Sequence, residues 1–266
     1  MANENEGPAG LLEIDDSVEL EGLRLRSPEA AYVEAERVVG EPAPRWFVQK
    51  RIADLVLATT LLLALSPLLV ACAVAVALTS RGPIFFVQER IGCKRIQRGG
   101  AYDWVIRPFR LYKFRSMYVN ADADVHKTFT DAFIRGDEAL LGTISTAPGL
   151  YKLGSDKRIT AIGHILRRLS LDELPQLFNV VKGDMSMIGP RPPMQYEVDA
   201  YSPRHMSRFH ATQGISGLWQ VMGRAELTFE QMIDLDIEYV RTQSWKVDTR
   251  IAFKTVAVVL TGRGAA

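Results

Sequence analysis

Apolar and polar positions are mixed through most of this chain, and the most visible departure comes early. Residues 55–80 (LVLATTLLLALSPLLVACAVAVALTS) hold 26 positions without one charge. As a straight helix the run would be about 39 Å long, more than the ~30 Å hydrocarbon core of a bilayer. A soluble helix shows a charged face, and this one has none, so the pattern predicts entry into a membrane. Ser66-Pro67 interrupts the run near its middle. Proline removes a helix hydrogen bond and crowds the preceding turn, and a serine hydroxyl can back-bond to a carbonyl and bend the helix. Each arm is then about 18 Å, too short to span alone. Arg45, Lys50 and Arg51 precede the run, and Arg81, Arg90, Lys94 and Arg95 follow it. Positive flanks mark the cytoplasmic side, so the helix is expected to dip in and return to one face. A kinked transmembrane helix is the alternative, since proline is tolerated there.

Beyond the run, residues 84–87 and 111–114 are short strand candidates, with a turn at Gly99-Gly100. Residues 119–140 read as a polar helix and 143–154 as a loop. Helices are expected at 160–169 and about 172–182, a Gly- and Pro-rich turn region at 183–195, and a helical segment at 196–209. Thr228 and Gln231 form a capping box that opens a helix over 228–243. The last helix, 247–261, sets Ile251, Val258 and Val259 against Asp248, Arg250 and Lys254. Such a helix suits a membrane interface or the core, and the pattern leaves both open.

Composition narrows the function. The chain has 266 residues, 47% hydrophobic and 24% charged, enough for one large domain or two small ones. A net charge of +1 argues against nucleic acid as a partner. The charges are nevertheless segregated. Residues 1–40 carry ten acids and three arginines, a balance of −7, and residues 81–120 carry nine Lys/Arg against Glu89 and Asp103, a balance of +7. The first block reads as a solvated tail and the second as a basic functional surface. The two cysteines, Cys72 and Cys93, exclude a disulfide framework and a Cys-based zinc site. No apolar signal core occupies the first forty residues, so the bulk of the chain is expected on the cytosolic side. His126, His164, His205 and His210 form no metal pair at helical spacing. Trp219 suits base stacking or the membrane interface, and core packing at least as well.

The chemistry is concentrated in Ser170-Leu171-Asp172-Glu173-Leu174-Pro175-Gln176. Two adjacent carboxylates stand where a helix is expected to begin. With Asp172 as the cap, the free amides and helix dipole would keep it ionised and help seat a phosphate. An ionised carboxylate can attack phosphorus, and its neighbour can ligate magnesium or take a proton. The plain alternative is an ordinary Ser-x-x-Glu capping box. Around the peptide stand Lys113, Arg115, Arg158, Arg167, Arg168, Lys182 and Arg191, the last flanked by Pro190 and Pro192. Stiff, bidentate arginines suit phosphate or diphosphate.

Together these residues resemble the bacterial sugar transferase family, the monotopic phosphoglycosyl transferases of exopolysaccharide and O-antigen assembly. The likeness runs from about Arg45 to the C-terminus. It rests on Ser66-Pro67, Lys113-Phe114-Arg115-Ser116-Met117, the block from Leu171 to Gln176, Lys182-Gly183-Asp184, Gly189-Pro190-Arg191-Pro192 and Gly214-Ile215-Ser216-Gly217-Leu218-Trp219. The resemblance implies an enzyme that transfers a sugar 1-phosphate, glucose or galactose foremost, from a UDP-sugar to undecaprenyl phosphate with release of UMP. It implies Asp172 as a covalent nucleophile and magnesium ligand, Glu173 as its partner, and a re-entrant break at Ser66 and Pro67. Lys113, Arg115, Arg158, Arg168, Gln176 and Arg191 are the candidate substrate contacts. The expected fold is mostly α with a small β element, α+β. It comprises an acidic, flexible extension over 1–44, a re-entrant membrane helix over 45–82 and a cytosolic catalytic domain with interfacial amphipathic helices over 83–266. The expected site is the cytoplasmic face of a bacterial inner membrane, among membrane lipids. The oligomeric state is open, a homodimer included. Gln213 and Met222 depart from the family pattern, which usually has proline and a small residue there, and leave the sugar open.

Overall fold

The protein is described here by a computed structural model covering residues 42–98, 101–119, 124–137, 140, 158–223 and 227–261. Nearly all of the acidic segment 1–44, the Gly99-Gly100 turn and the 143–154 loop lie outside the described residues. Helix α1 spans Pro44–Ala64 and α2 spans Ser66–Thr79, with a 63° bend at the break between them. Pro44 opens α1 and Pro67 sits in the first turn of α2, where helices tolerate proline. The Ser66 hydroxyl donates to the Leu63 carbonyl at 2.8 Å, as the sequence predicts. No single described helix is long and apolar enough to cross a membrane, whereas the bent pair together meets the length and composition.

Of the charges that precede the uncharged run, Arg45 is exposed, while Lys50, Arg51 and Asp54 are spent inside the fold. Lys50 and Asp54 are buried. Lys50 Nζ pairs with Asp248 at 2.6 Å, and Arg51 donates to the carbonyls of Val180 and Val181. Asp54 accepts from the Ser186 hydroxyl at 2.7 Å and the Met187 amide at 3.1 Å. Further along, Ala58 packs with Phe109, Leu111, Leu177 and Val180. Cys72 and Val76 of α2 pack with Phe114 and Leu166. The opposite face stays apolar and open, with Leu63 72% and Leu78 82% exposed.

Strands β1 (Phe85–Arg98) and β2 (Ala101–Phe114) form one antiparallel ribbon, in register from Phe85 opposite Phe114 to Arg98 opposite Ala101. The two short strands expected at 84–87 and 111–114 are only its root. Its middle was illegible because charged residues break the apolar alternation that a sheet lying on a core displays. Pro108 fits β2 because both strands of a two-stranded ribbon are edges.

After the ribbon come α3 (Asp124–Arg135), shorter than the helix expected at 119–140, and α4 (Ala161–Arg168). Thr160 caps α4 by accepting from the Gly163 amide at 3.0 Å. A 3-10 turn at Leu171–Glu173 leads to α5 (Gln176–Lys182), which Gly183 ends at φ +82°. The expected turn region 183–195 contains β3 (Ser186–Ile188), parallel to β4 (Gly214–Ser216), a pair too short for a period to show. The single helix expected at 196–209 is α6 (Gln195–Asp199), α7 (Pro203–Met206) and a 3-10 turn, because Pro203 and the Ser202 cap restart it. Helices α8 (Leu218–Met222), α9 (Phe229–Thr242) and α10 (Trp245–Thr261) complete the mostly helical α+β fold. Trp219 belongs to a core cluster with Phe129, Phe133, Phe229 and Ile233, which decides for packing over base stacking. On α10, Ile251 is buried against Tyr239 and Val240, while Phe253 is 73% exposed, so its two faces do different things.

Helix α9 starts as the sequence predicts: Thr228 Oγ accepts from the Gln231 amide and Gln231 Oε1 from the Thr228 amide. Thr228→Ala is expected to destabilise the protein by about 1 kcal/mol, read from chemical denaturation.

Candidate active site

Ser170 stands at φ +54°, the one non-glycine residue with positive φ among those described. It turns the chain from α4 into the 3-10 turn that carries Asp172 and Glu173. The capping-box alternative fails on geometry. Ser170 makes no side-chain cap, and Glu173 Oε1 instead receives Lys113 Nζ at 2.7 Å, with Arg191 Nη1 at 3.8 Å. The expectation that α-helix amides hold Asp172 ionised also fails, because α5 begins four residues later, at Gln176.

The two carboxyls are in opposite electrostatic situations. Asp172 is 9% exposed, and among the described residues no side chain bonds or pairs with its carboxylate. Burial pushes its pKa above the usual carboxylate range; Lys113 pulls it down, Glu173 pushes it up and Arg167 pulls it down. Burial also works against ionised Glu173, but Lys113 and Arg191 outweigh it and hold that carboxyl well below the usual range. Neighbouring titratable groups driven apart in this way are the signature of divided acid–base roles.

Beside the dyad lies a shallow cleft, with Arg90, Lys113, Gln176 and Arg191 as its polar lining and Leu111 and Ile215 among its apolar wall. Its cationic lining suits the phosphoryl portion of a substrate. Arg191 is held by its backbone. The Pro190 carbonyl accepts from the Gly214 amide at 2.8 Å, that of Arg191 from Arg208 at 2.9 Å, that of Pro192 from Arg90 at 3.1 Å, and that of Pro193 from the Ile91 amide at 2.9 Å. Four consecutive pinned carbonyls, two proline-fixed φ angles on either side of Arg191 and a 37% exposed side chain leave a guanidinium aimed with little freedom. The crossing beneath is possible only for glycine, since a Cβ on Gly189 would lie 2.1 Å from the Thr212 carbonyl oxygen.

The structure therefore brings Lys113 and Arg191 to Glu173, next to Asp172, and sets Gln176 with them in the cleft wall. It places Arg115 elsewhere: that buried guanidinium donates to the Ser80 carbonyl at 2.6 Å, to the Ser80 hydroxyl at 2.8 Å and to the Pro83 carbonyl. Arg115 thus closes the turn at the end of α2 instead of lining the cleft. Arg158 is fixed through its carbonyl, which accepts from the Tyr118 amide at 2.9 Å, and its side chain is not part of the cleft lining. Arg168 is exposed at the end of α4; its neighbour Arg167 is the one whose charge acts on Asp172. Sequence reasoning missed Arg90 and Arg208. Arg90 was visible only as a positive flank of the uncharged run and as part of the +7 block, in a stretch not read as strand, and its even-numbered step from a cleft-facing register was the available signal.

Among the described residues no three His, Cys, Asp or Glu side chains converge into a metal cage. Magnesium is normally held by one or two carboxylates together with substrate phosphates and water, and Asp172, whose carboxylate no described side chain bonds, fits that pattern.

A family model for bacterial sugar transferases matches residues 45–262. The chain belongs to the bacterial sugar transferase family. Among its relatives, the UDP-galactose-lipid carrier transferase of Erwinia amylovora is 36% identical over 254 residues, 92% of this chain and 49% of that protein. The exopolysaccharide production protein ExoY of Sinorhizobium fredii is 34% identical over 218 residues, 82% of this chain and 88% of that one. The UDP-glucose:undecaprenyl-phosphate glucose-1-phosphate transferase of Caulobacter vibrioides is 37% identical over 233 residues, 84% of this chain and 74% of that one. The chain thus spans about half the length of the Erwinia relative and most of the other two. The dyad, the cleft and the pinned Arg191 loop all lie inside the matched residues.

Proposed function

We propose that this protein moves a sugar 1-phosphate from a UDP-sugar to undecaprenyl phosphate, releasing UMP and giving the undecaprenyl-diphosphate sugar that begins exopolysaccharide synthesis. The contrast within the dyad carries the reading. Asp172 has no competing side-chain cation in contact, while Glu173 is clamped by Lys113. Asp172 Oδ attacks the donor phosphorus that bears the sugar, and the bond to the bridging oxygen breaks as UMP leaves. A phosphate oxygen of undecaprenyl phosphate then attacks the same phosphorus, and the bond to Asp172 breaks. Lys113, Arg90 and Arg191 supply fixed positive charge where negative charge develops on the phosphoryl oxygens. Magnesium, held by Asp172 with the donor phosphates, would supply further neutralisation of the diphosphate. The relatives include both a UDP-galactose-lipid carrier transferase and a UDP-glucose transferase, and both donors are retained for this chain.

The same reading puts the uncharged run in the cytoplasmic leaflet of the inner membrane. Support comes from its two ends. The start of α1 is bonded to α5, β3 and α10, and the end of α2 is tied to β2 through Arg115, so both ends attach to one body. A span would separate them by about 30 Å of hydrocarbon.

The test uses purified protein in detergent with magnesium, a panel of UDP-glucose, UDP-galactose and their N-acetylated counterparts, and undecaprenyl phosphate. UMP release from one donor, with sugar-phosphate label retained on the protein before acceptor is added, is expected. UMP release that needs the acceptor and leaves no label would replace the covalent route with direct displacement and Asp172 as a metal ligand. No release from any donor would favour an adaptor that only holds anionic lipid.

A further inference from the structure

The nine Lys and Arg of residues 81–120 do not all serve the dyad. Arg90 and Lys113 line the cleft, and Arg115 closes the turn after α2. Arg95 lays its guanidinium on Phe47 and Tyr102, 4.2 and 3.8 Å from the ring centroids. Of the other five, Lys94 and Arg107 share one ribbon face with Arg90 and Lys113, because they stand at even steps along the strands and Arg107 pairs with Gly92. Arg107 is six positions from Lys113, about 20 Å along the strand. Helix α5 links the two places: Gln176 at its start lines the cleft, and Lys182 at its end meets Arg107 across Asp184. Asp184 takes Arg107 Nη2 at 3.1 Å and Lys182 Nζ at 3.2 Å. Arg51, which caps α5, reaches the same turn, within 3.2 Å of where a Cβ on Gly183 would be. Three cations, Lys94, Arg107 and Lys182, thus act on one carboxylate, and Arg51 stands beside them on the carbonyls of Val180 and Val181. The crowding registers at Lys94, whose pKa burial, Arg107 and Arg51 lower against the pull of Asp184. Lys94 and Lys182 are exposed, so an anion can reach them.

We infer that this cluster binds the phosphate of an anionic bilayer lipid headgroup, at a site separate from the dyad cleft. The inference rests on the membrane reading above. Arg51 lies four residues, about 6 Å of helix, before the uncharged run begins, so the cluster stands at the depth where α1 leaves water. Basic side chains at that depth attract anionic headgroups, and two of them together are worth on the order of thirty-fold in affinity.

The test compares dioctanoyl phosphatidylglycerol with dioctanoyl phosphatidylcholine, titrated into the full chain in a neutral detergent. The wild type is expected to prefer the glycerol lipid by about thirty-fold. The Lys94→Gln/Lys182→Gln double variant should lose that preference while releasing UMP at the wild-type rate in detergent. A variant that keeps the preference, or a wild type that has none, overturns the inference. Inorganic phosphate that displaces the glycerol lipid at matched ionic strength would assign the cluster to a soluble anion and overturn the headgroup assignment. Reconstitution with neutral phosphatidylcholine vesicles separates the two readings. A protein that floats with them but shows no headgroup preference fails only here. A protein that does not float fails the membrane reading itself, and this inference with it.

Discussion

Asp172→Asn is expected to lower sugar-phosphate transfer by at least about 10³-fold, and to leave no labelled protein when the donor is supplied alone. An amide presents neither the charge nor the lone-pair basicity that attack on phosphorus requires. Burial raises the Asp172 carboxyl and no described side chain pairs with it, so the native carboxylate is held at a cost to stability. Replacing it with a neutral isostere removes that cost. The variant should therefore melt at or above the wild-type temperature while being inactive. An inactive variant that also melts well below the wild type would mean that Asp172 is structural and that the nucleophile lies elsewhere. Retained activity would discard the covalent route altogether.

The parts of this site that were legible in the sequence are those whose physics is local. Ser66 bonds to Leu63 three residues away, and Thr228 and Gln231 close a box within one turn. The stiffness expected at Arg191 follows from its flanking prolines. What sequence could not provide is pairing at a distance. Lys113 and Glu173 were both candidates, but their contact bridges 60 positions and depends on where the ribbon meets the 3-10 turn. Arg115 illustrates the same limit from the other side: a cation in a basic motif looks like a phosphate ligand until the Ser80 and Pro83 carbonyls occupy it. The electrostatic state of Asp172 was misjudged because the chain there makes a three-residue 3-10 turn instead of the first turn of α5, and burial then decides the sign. The long ribbon was missed because its charges are spent on particular partners, Arg95 on two rings and Arg107 on Asp184, and so its period reads as polar.

Arg208→Met is expected to destabilise the fold by about 3–5 kcal/mol, measured by chemical denaturation at pH 8, the largest stability effect anticipated here. Arg208 and Asp236 are both buried and pair at 2.5 Å, and Arg208 also donates to the Tyr201 hydroxyl and the Arg191 carbonyl. Removing the guanidinium strands a carboxylate in the core, which is why the cost exceeds the net worth of the pair. The pH dependence follows from the same burial. Burial lifts the Asp236 carboxyl, to about 6, against the downward pull of Arg208. Without Arg208 only the upward push remains, so the folded variant keeps its proton where the unfolded chain, near ~3.9, has lost it. A raised folded-state pKa gives stability that is complete below the unfolded value and is lost as pH rises through the folded one. The deficit relative to wild type should therefore be smaller at pH 5 than at pH 8. Arg208→Met/Asp236→Leu should recover most of the lost stability, since two apolar groups replace an ion pair without leaving a bare charge. It should not recover activity, because the Arg191 carbonyl still lacks its donor and the cleft guanidinium is no longer fixed. Full recovery of both would show that Arg208 acts on the fold alone and that the loop carrying Arg191 holds its shape without it.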